Sequence, residues 1–205
     1  MGETTFKTVI LAVALWLTAG AVPAQEKGGL VDLQPCDLLF FRDTQGMGAA
    51  VQESTGEYTH VAIVESVGDT VWIIDATPRL GVSRRPFTIK TYEIGFPDIY
   101  RITVPLDRTA TLERARSFLG QPYDQSFLPD NGAVYCSELV YECYLDDTDH
   151  LRHLFEAKPM NWRNANGELP KYWKKHFKKL RMPVPEGVPG TNPTDLARSP
   201  LLHKL

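Results

Sequence analysis

The sequence predicts an α+β domain in which an antiparallel sheet packs against helices. Three observations lead there. Runs rich in β-branched and aromatic residues are concentrated between residues 38 and 104. Two of them are joined by the short turn Gly68-Asp69, which reads as a hairpin. Helical spacing of apolar residues dominates only later, from about Thr109 onward.

Taken in order, the chain opens with Lys7 followed by the apolar run Val9 to Leu17, then Ala19-Gly20-Ala21-Val22-Pro23-Ala24. This pattern predicts a cleavable export signal over residues 1–24, cut after Ala24, and hence a periplasmic or secreted protein. The run is shorter than the roughly 20 residues that span a bilayer. Cys36, the first cysteine after it, lies too far along for lipid attachment at the cleavage point. About 180 residues follow, enough for one ordinary core. They divide into a main domain over 25–182 and a tail over 183–205.

Leu38-Leu39-Phe40-Phe41 reads as a strand opened by the turn-like Gln34-Pro35-Cys36-Asp37. The glycine-rich stretch Asp43 to Glu57 holds a short helix near Ala49 to Gln52. Tyr58 to Glu65 and Thr70 to Ala76 form the hairpin, and Asp98 to Val104 alternates as a further strand. The helix from Thr109 puts Leu112, Ala115, Phe118 and Leu119 on one face and stops at Gly120. Residues 171–181 form a basic helix through Lys171, Lys174, Lys175, Lys178, Lys179 and Arg181, with Tyr172, Trp173 and Phe177 turned inward. Its outer face is either merely solvated or a peripheral contact for an anionic lipid or polymer. Prolines at 183, 185, 189, 193 and 200 forbid long helices, so the tail is expected to be extended and to wrap the domain.

Composition excludes some classes of function. A formal charge of −3, without aromatic-basic interleaving, argues against a nucleic-acid partner. Three cysteines in an exported chain leave at least one unpaired. Cys36 and Cys143 either form a disulfide or, with Cys143 on a buried helix face, remain small core residues. Cys136, Cys143, His150 and His153 match no zinc spacing, so neither a metal nor another cofactor is expected.

The chemistry centres on Cys136. Counting from it, Leu139, Val140, Cys143 and Tyr144 fall at i+3, i+4, i+7 and i+8, and the turn residues Pro129-Asp130-Asn131-Gly132 precede it. Cys136 is therefore expected to face solvent in the first turn of a helix, where free backbone N–H groups favour thiolate and can hold an oxyanion. His60, near the start of its strand, is the candidate base; alternatively it is a strand-end histidine bonded to backbone. Asp75 comes back beside His60 if the hairpin forms, where a carboxylate would orient the ring. The competing reading makes Asp75 a cap on the turn Ala76-Thr77-Pro78.

These pieces resemble the NlpC-type papain-like enzymes in cyclically rotated order. Cys36-Asp37-Leu38-Leu39-Phe40-Phe41 looks like their Gly-Asp-Leu-Leu-Phe strand, and His60-Val61-Ala62-Ile63 like their histidine strand. Asp75 matches the polar third position, while Gly120-Gln121-Pro122-Tyr123 and Tyr135-Cys136-Ser137-Glu138 come last. The order is that of the circularly permuted, YiiX-like branch, whose tail Gly190-Thr191-Asn192-Pro193 and Arg198-Ser199-Pro200-Leu201 also resemble. Cys36 and Ala62 stand where the pattern has glycine.

The resemblance implies a papain-like fold and a thiol hydrolase: Cys136 attacks a carbonyl, His60 moves the proton and Asp75 orients His60. Tyr123, Tyr135 and Ser137 become candidates for substrate or oxyanion contact, although Tyr123 could equally be a core tyrosine. Asp124 and Phe127 are expected to pack around that segment. Three functions compete: an amidase or peptidase acting on peptides or cell-wall-derived amides, an acyltransferase or lipid hydrolase using the same thioester, and an idle binding module. The second would need an apolar groove beside Cys136.

Overall fold

The structure is a computed structural model that describes residues 32–88 and 95–205; the expected export signal over 1–24 lies outside them. In chain order the first half contains β1 (Leu38–Phe41), α1 (Gly46–Thr55), β2 (His60–Ser66), β3 (Trp72–Thr77), β4 (Gly81–Pro86) and β5 (Asp98–Ile102). The second half contains α2 (Arg108–Ser117), α3 (Cys136–Cys143), β6 (Lys158–Pro159), α4 (Lys171–Leu180), β7 (Pro189–Gly190), α5 (Pro193–Ala197) and β8 (Leu202–Lys204). Six strands form one antiparallel sheet in the order β4-β3-β2-β1-β5-β8, and β6 pairs with β7 apart from it. The fold is α+β, as the order of strands and helices requires.

Burial follows position in the sheet. β1 is central, and all four of its residues are buried, so its run of Leu and Phe needs no polar alternation. In β2, Val61 to Glu65 are buried between β1 and β3. Helices α2 and α3 cover this sheet, with Leu112, Ala115, Leu139, Val140 and Cys143 in its core. A second cluster sits around α1 and α4, where Ala50, Phe127, Met160, Trp162, Trp173 and Phe177 pack together. The α1 helix runs well beyond Ala49 to Gln52 because packing against α4 supports a segment of weak intrinsic helicity.

Several local expectations change. Helix α2 ends at Ser117, with Asp107 as N-cap accepting from the Ala110 N–H at 2.9 Å. Leu119 is therefore past the helix and 39% exposed, not on its buried face. The tail is not extended throughout: Asn192 caps α5, with Pro193 in its first turn, and β8 adds an edge strand against β5. Cys36 explains its own departure from the glycine pattern, since it is buried at φ 69, in the left-handed region where glycine carries no Cβ penalty.

One glycine positions the site. Gly81 lies at φ +65, and a Cβ there would stand 2.2 Å from the Gln121 carbonyl. Only glycine lets β4 lie against residues 120–121, where the Val82 N–H donates to Gln121 O at 2.9 Å and the Gly120 N–H to Val82 O at 3.0 Å. That contact anchors the segment leading to Tyr123, which bridges in parallel to Val134, two residues before Cys136.

Candidate active site

Three separate elements bring the candidate residues together. Cys136 is the first residue of α3, preceded by Tyr135 in extended conformation. His60 begins β2, and Asp75 lies fully buried in the adjacent β3. Because the hairpin returns β3 beside the start of β2, His60 Nε2 comes within 2.8 Å of Asp75 Oδ2. The Cys136 side chain lies close enough to the same ring to favour its charged form. The pair stands 76 residues apart in sequence.

Asp75 has a second partner that no spacing in the sequence announced. Arg85 on β4 donates from Nε to Asp75 Oδ1 at 3.0 Å and from Nη2 to Asp75 Oδ2. Burial works against the Asp75 charge, yet bonds from His60 and Arg85 outweigh it and hold the carboxyl down at about 2. Burial likewise opposes charge on His60, but Asp75 and Cys136 overcome it and push the ring up to about 10. Arg85, Asp75, His60 and Cys136 thus alternate as donor and acceptor in one line, which favours an imidazolium beside the sulfur at neutral pH.

Cys136 does not face bulk solvent. It is 6% exposed, because α3 packs across β2 and β3 and its first turn opens into a cavity. The cavity measures about 740 Å³, and His60, Cys136, Ser137, Tyr123, Tyr135 and Thr191 all reach it. Its remaining wall is largely apolar, built from Met47 and Val51 of α1, Phe127, Met160, Trp162, and Trp173 of α4. Nothing in the sequence signals that these residues share one wall, since they become neighbours only when α1, α4 and the 160–162 segment fold together.

The three polar candidates differ. Ser137 Oγ is buried with no partner among the described residues, as is Thr191 Oγ1. Tyr123 points its hydroxyl at the Met47 sulfur, 3.8 Å away and a weak acceptor, and burial holds that hydroxyl protonated well above the tyrosine range. Tyr135 is engaged instead: its hydroxyl accepts from the Thr191 N–H at 3.1 Å, and its ring packs at a tilt against Phe127, with centroids 5.2 Å apart. Asp124 pins the intervening loop by accepting from the Ser126 and Leu128 N–H groups at 2.7 and 2.8 Å. Glu138 accepts from the Tyr135 N–H at 3.3 Å, tying the start of α3 to its own first turn. The N–H groups of Cys136 and Ser137 belong to that turn, which lacks intrahelical acceptors.

All three cysteines are free. Burial pushes the Cys36 thiol up to about 12 and the Cys143 thiol higher still, whereas Cys136 alone lines the cavity and touches an imidazole. Iodoacetamide at neutral pH should therefore modify Cys136 first in the folded chain, as read by peptide mapping. Earlier labelling of Cys36 or Cys143 would remove Cys136 as nucleophile. No group of three or more His, Cys, Asp or Glu side chains forms a metal site among the described residues.

Comparison with known proteins agrees with this arrangement. Residues 32–205 match the family model described as permuted papain-like amidase enzyme, YaeF/YiiX, C92 family. Among solved structures, the crystal structure described as metalloprotein YiiX from Escherichia coli O157:H7 shares the fold, with a TM-score of 0.67 at 19% identity. The alignment covers 84% of this chain and 96% of that one. No curated protein matches the sequence.

Proposed function

The chain belongs to the permuted papain-like amidases, a family of cysteine hydrolases, and on that premise we propose that Cys136, His60 and Asp75 carry out amide hydrolysis through an acyl-enzyme. One observation carries the assignment: the hydrogen-bonded line from Arg85 through Asp75 to His60, whose ring lies beside Cys136 at the wall of a cavity. The Cys136 sulfur attacks the substrate carbonyl carbon, and the C=O electron pair moves to oxygen. The first-turn N–H groups of α3 and the Tyr123 hydroxyl are donors available to that oxyanion. When the tetrahedral intermediate collapses, the C–N bond breaks and His60 gives its proton to the leaving amine. Water, deprotonated by His60, then attacks the thioester; the C–S bond breaks and the acid is released.

A second reading concerns the acyl group, and the cavity favours it. Met47, Val51, Phe127, Met160, Trp162 and Trp173 form the apolar groove that an acyltransferase or lipid hydrolase needs beside the same cysteine. The thioester chemistry is unchanged; an alcohol or amine in place of water would make the reaction a transfer. Product analysis by mass spectrometry, with peptidoglycan-derived peptides in one arm and phospholipids and N-acyl amino acids in the other, separates these readings. Release of a free amine from peptides alone supports the peptidase. Turnover of the acyl substrates alone supports the second reading, and Cys136-dependent turnover of neither defeats both.

A further inference from the structure

The outer face of α4 has no part in the site described above. Lys171, Lys174, Lys175, Lys178 and Lys179 occupy i, i+3, i+4, i+7 and i+8 of this helix, and all five are exposed. They form one continuous stripe, extended by the exposed Arg181 at the C-cap. Half of the chain's lysines lie in these ten residues, although the whole chain is formally −3. Among the described residues, none of the six cations has an ion-pair partner.

This is not how a merely solvated helix face is composed. Such faces mix signs and gain from Glu–Lys pairs at i,i+4, whereas here like charges stand at 171/175, 174/178 and 175/179 and repel. The helix tolerates the repulsion because its inner face is firmly held. Trp173 and Phe177 are buried, the Trp173 indole donates to the Ala50 carbonyl at 3.2 Å, and His176 Nε2 lies 2.7 Å from the Gln125 carbonyl.

We propose that this stripe docks the protein onto a bilayer surface containing anionic phospholipids. Charge complementarity selects an anionic partner, and the composition of the stripe selects among anionic partners. A nucleic-acid face would offer exposed aromatics for stacking or Arg forks for phosphate, but Trp173 is buried, Tyr172 stacks on His176, and the stripe is lysine. A protein partner would need an apolar anchor, and the stripe contains none. Flexible ammonium groups on a straight face suit a fluid plane of charge, whose lipids rearrange to meet them. Trp173, on the opposite side of the same helix, lines the cavity, so docking through α4 would hold that apolar cavity close to the membrane.

The test is sedimentation of the full chain with large unilamellar vesicles, either pure phosphatidylcholine or phosphatidylcholine with one-quarter phosphatidylglycerol, at rising salt. Comparing the two vesicle types cancels any contribution of the apolar residues 9–17, which do not discriminate lipid charge. Binding should require the anionic lipid and weaken steadily with salt. Each lysine removed should cost about fivefold in partitioning, so replacing all five by Gln should lower it about three-thousand-fold. The milder pair Lys175→Gln and Lys179→Gln should give roughly a twenty-five-fold loss, with the thermal melt unchanged. Equal binding to both vesicle types, or anionic binding untouched by these substitutions, would overturn the proposal. So would retention on heparin without any vesicle binding, which would reassign the stripe to a soluble polyanion.

Discussion

Cys136→Ala is expected to abolish turnover, with kcat/KM falling roughly ten-thousand-fold or more, because no other thiol lines the cavity among the described residues. The fold should survive. Removing one sulfur from a residue at the cavity wall, with one hydrogen bond to His60, should cost about 1 kcal/mol. Steady-state rates on any turned-over substrate, set beside thermal melts, measure both effects. His60→Ala should approach the same loss, and adding it to Cys136→Ala should cost little more, since the two act as one unit. Wild-type rates in Cys136→Ala would end the cysteine mechanism.

Arg85→Met should be the most destabilising single change at the site. Asp75 is fully buried, and Arg85→Met removes the two-pronged cationic contact to its charge. Removing one partner of a buried pair costs about 3–5 kcal/mol. Activity should fall as well, through kcat, because Arg85 holds the residue that orients the base. Asp75→Asn keeps a hydrogen bond to the ring but removes the negative charge that Arg85 and His60 share, so it should be slower than wild type yet faster than His60→Ala. Denaturant melts and kcat of each variant decide this; an Arg85→Met protein as stable as wild type would show that the pair contributes nothing.

The same pair sets a pH window. Asp75 is depressed from 3.8 to about 2, so its contribution to stability is complete above 3.8 and is lost as pH falls through about 2. His60 is raised from 6.5 to about 10, so its contribution is complete below 6.5 and is lost as pH rises through about 10. Between these limits the line of charges that supports the nucleophile is intact.

Much of the site was legible because local spacing carries it. The 3.6-residue period around Leu139, Val140 and Cys143 identified the helix and put Cys136 at its start. The Gly68-Asp69 turn implied the hairpin, and the hairpin alone suffices to bring Asp75 back toward His60. Arg85 was not legible. It sits on β4, one strand further out, and nothing in the run Ser83-Arg84-Arg85 distinguishes it from Arg84, which instead pairs with Glu65. Leu119 was assigned to a buried face because the period continues past Ser117, while the chain turns away toward β4 at Gly120.

From the sequence by itself came the α+β class, the strands around Leu38, His60, Asp75 and Tyr100, and the helices from Thr109, Cys136 and Lys171, since backbone preference and apolar period act over a few neighbouring residues. Only the tertiary structure decided that Cys136 opens into a cavity and not into solvent, and that Met47, Trp162 and Trp173 wall that cavity. It also decided that both Asp75 oxygens are held from β4. Those facts depend on sheet register and on packing between segments far apart in the chain, where the same side chains at the same spacing can meet quite different partners.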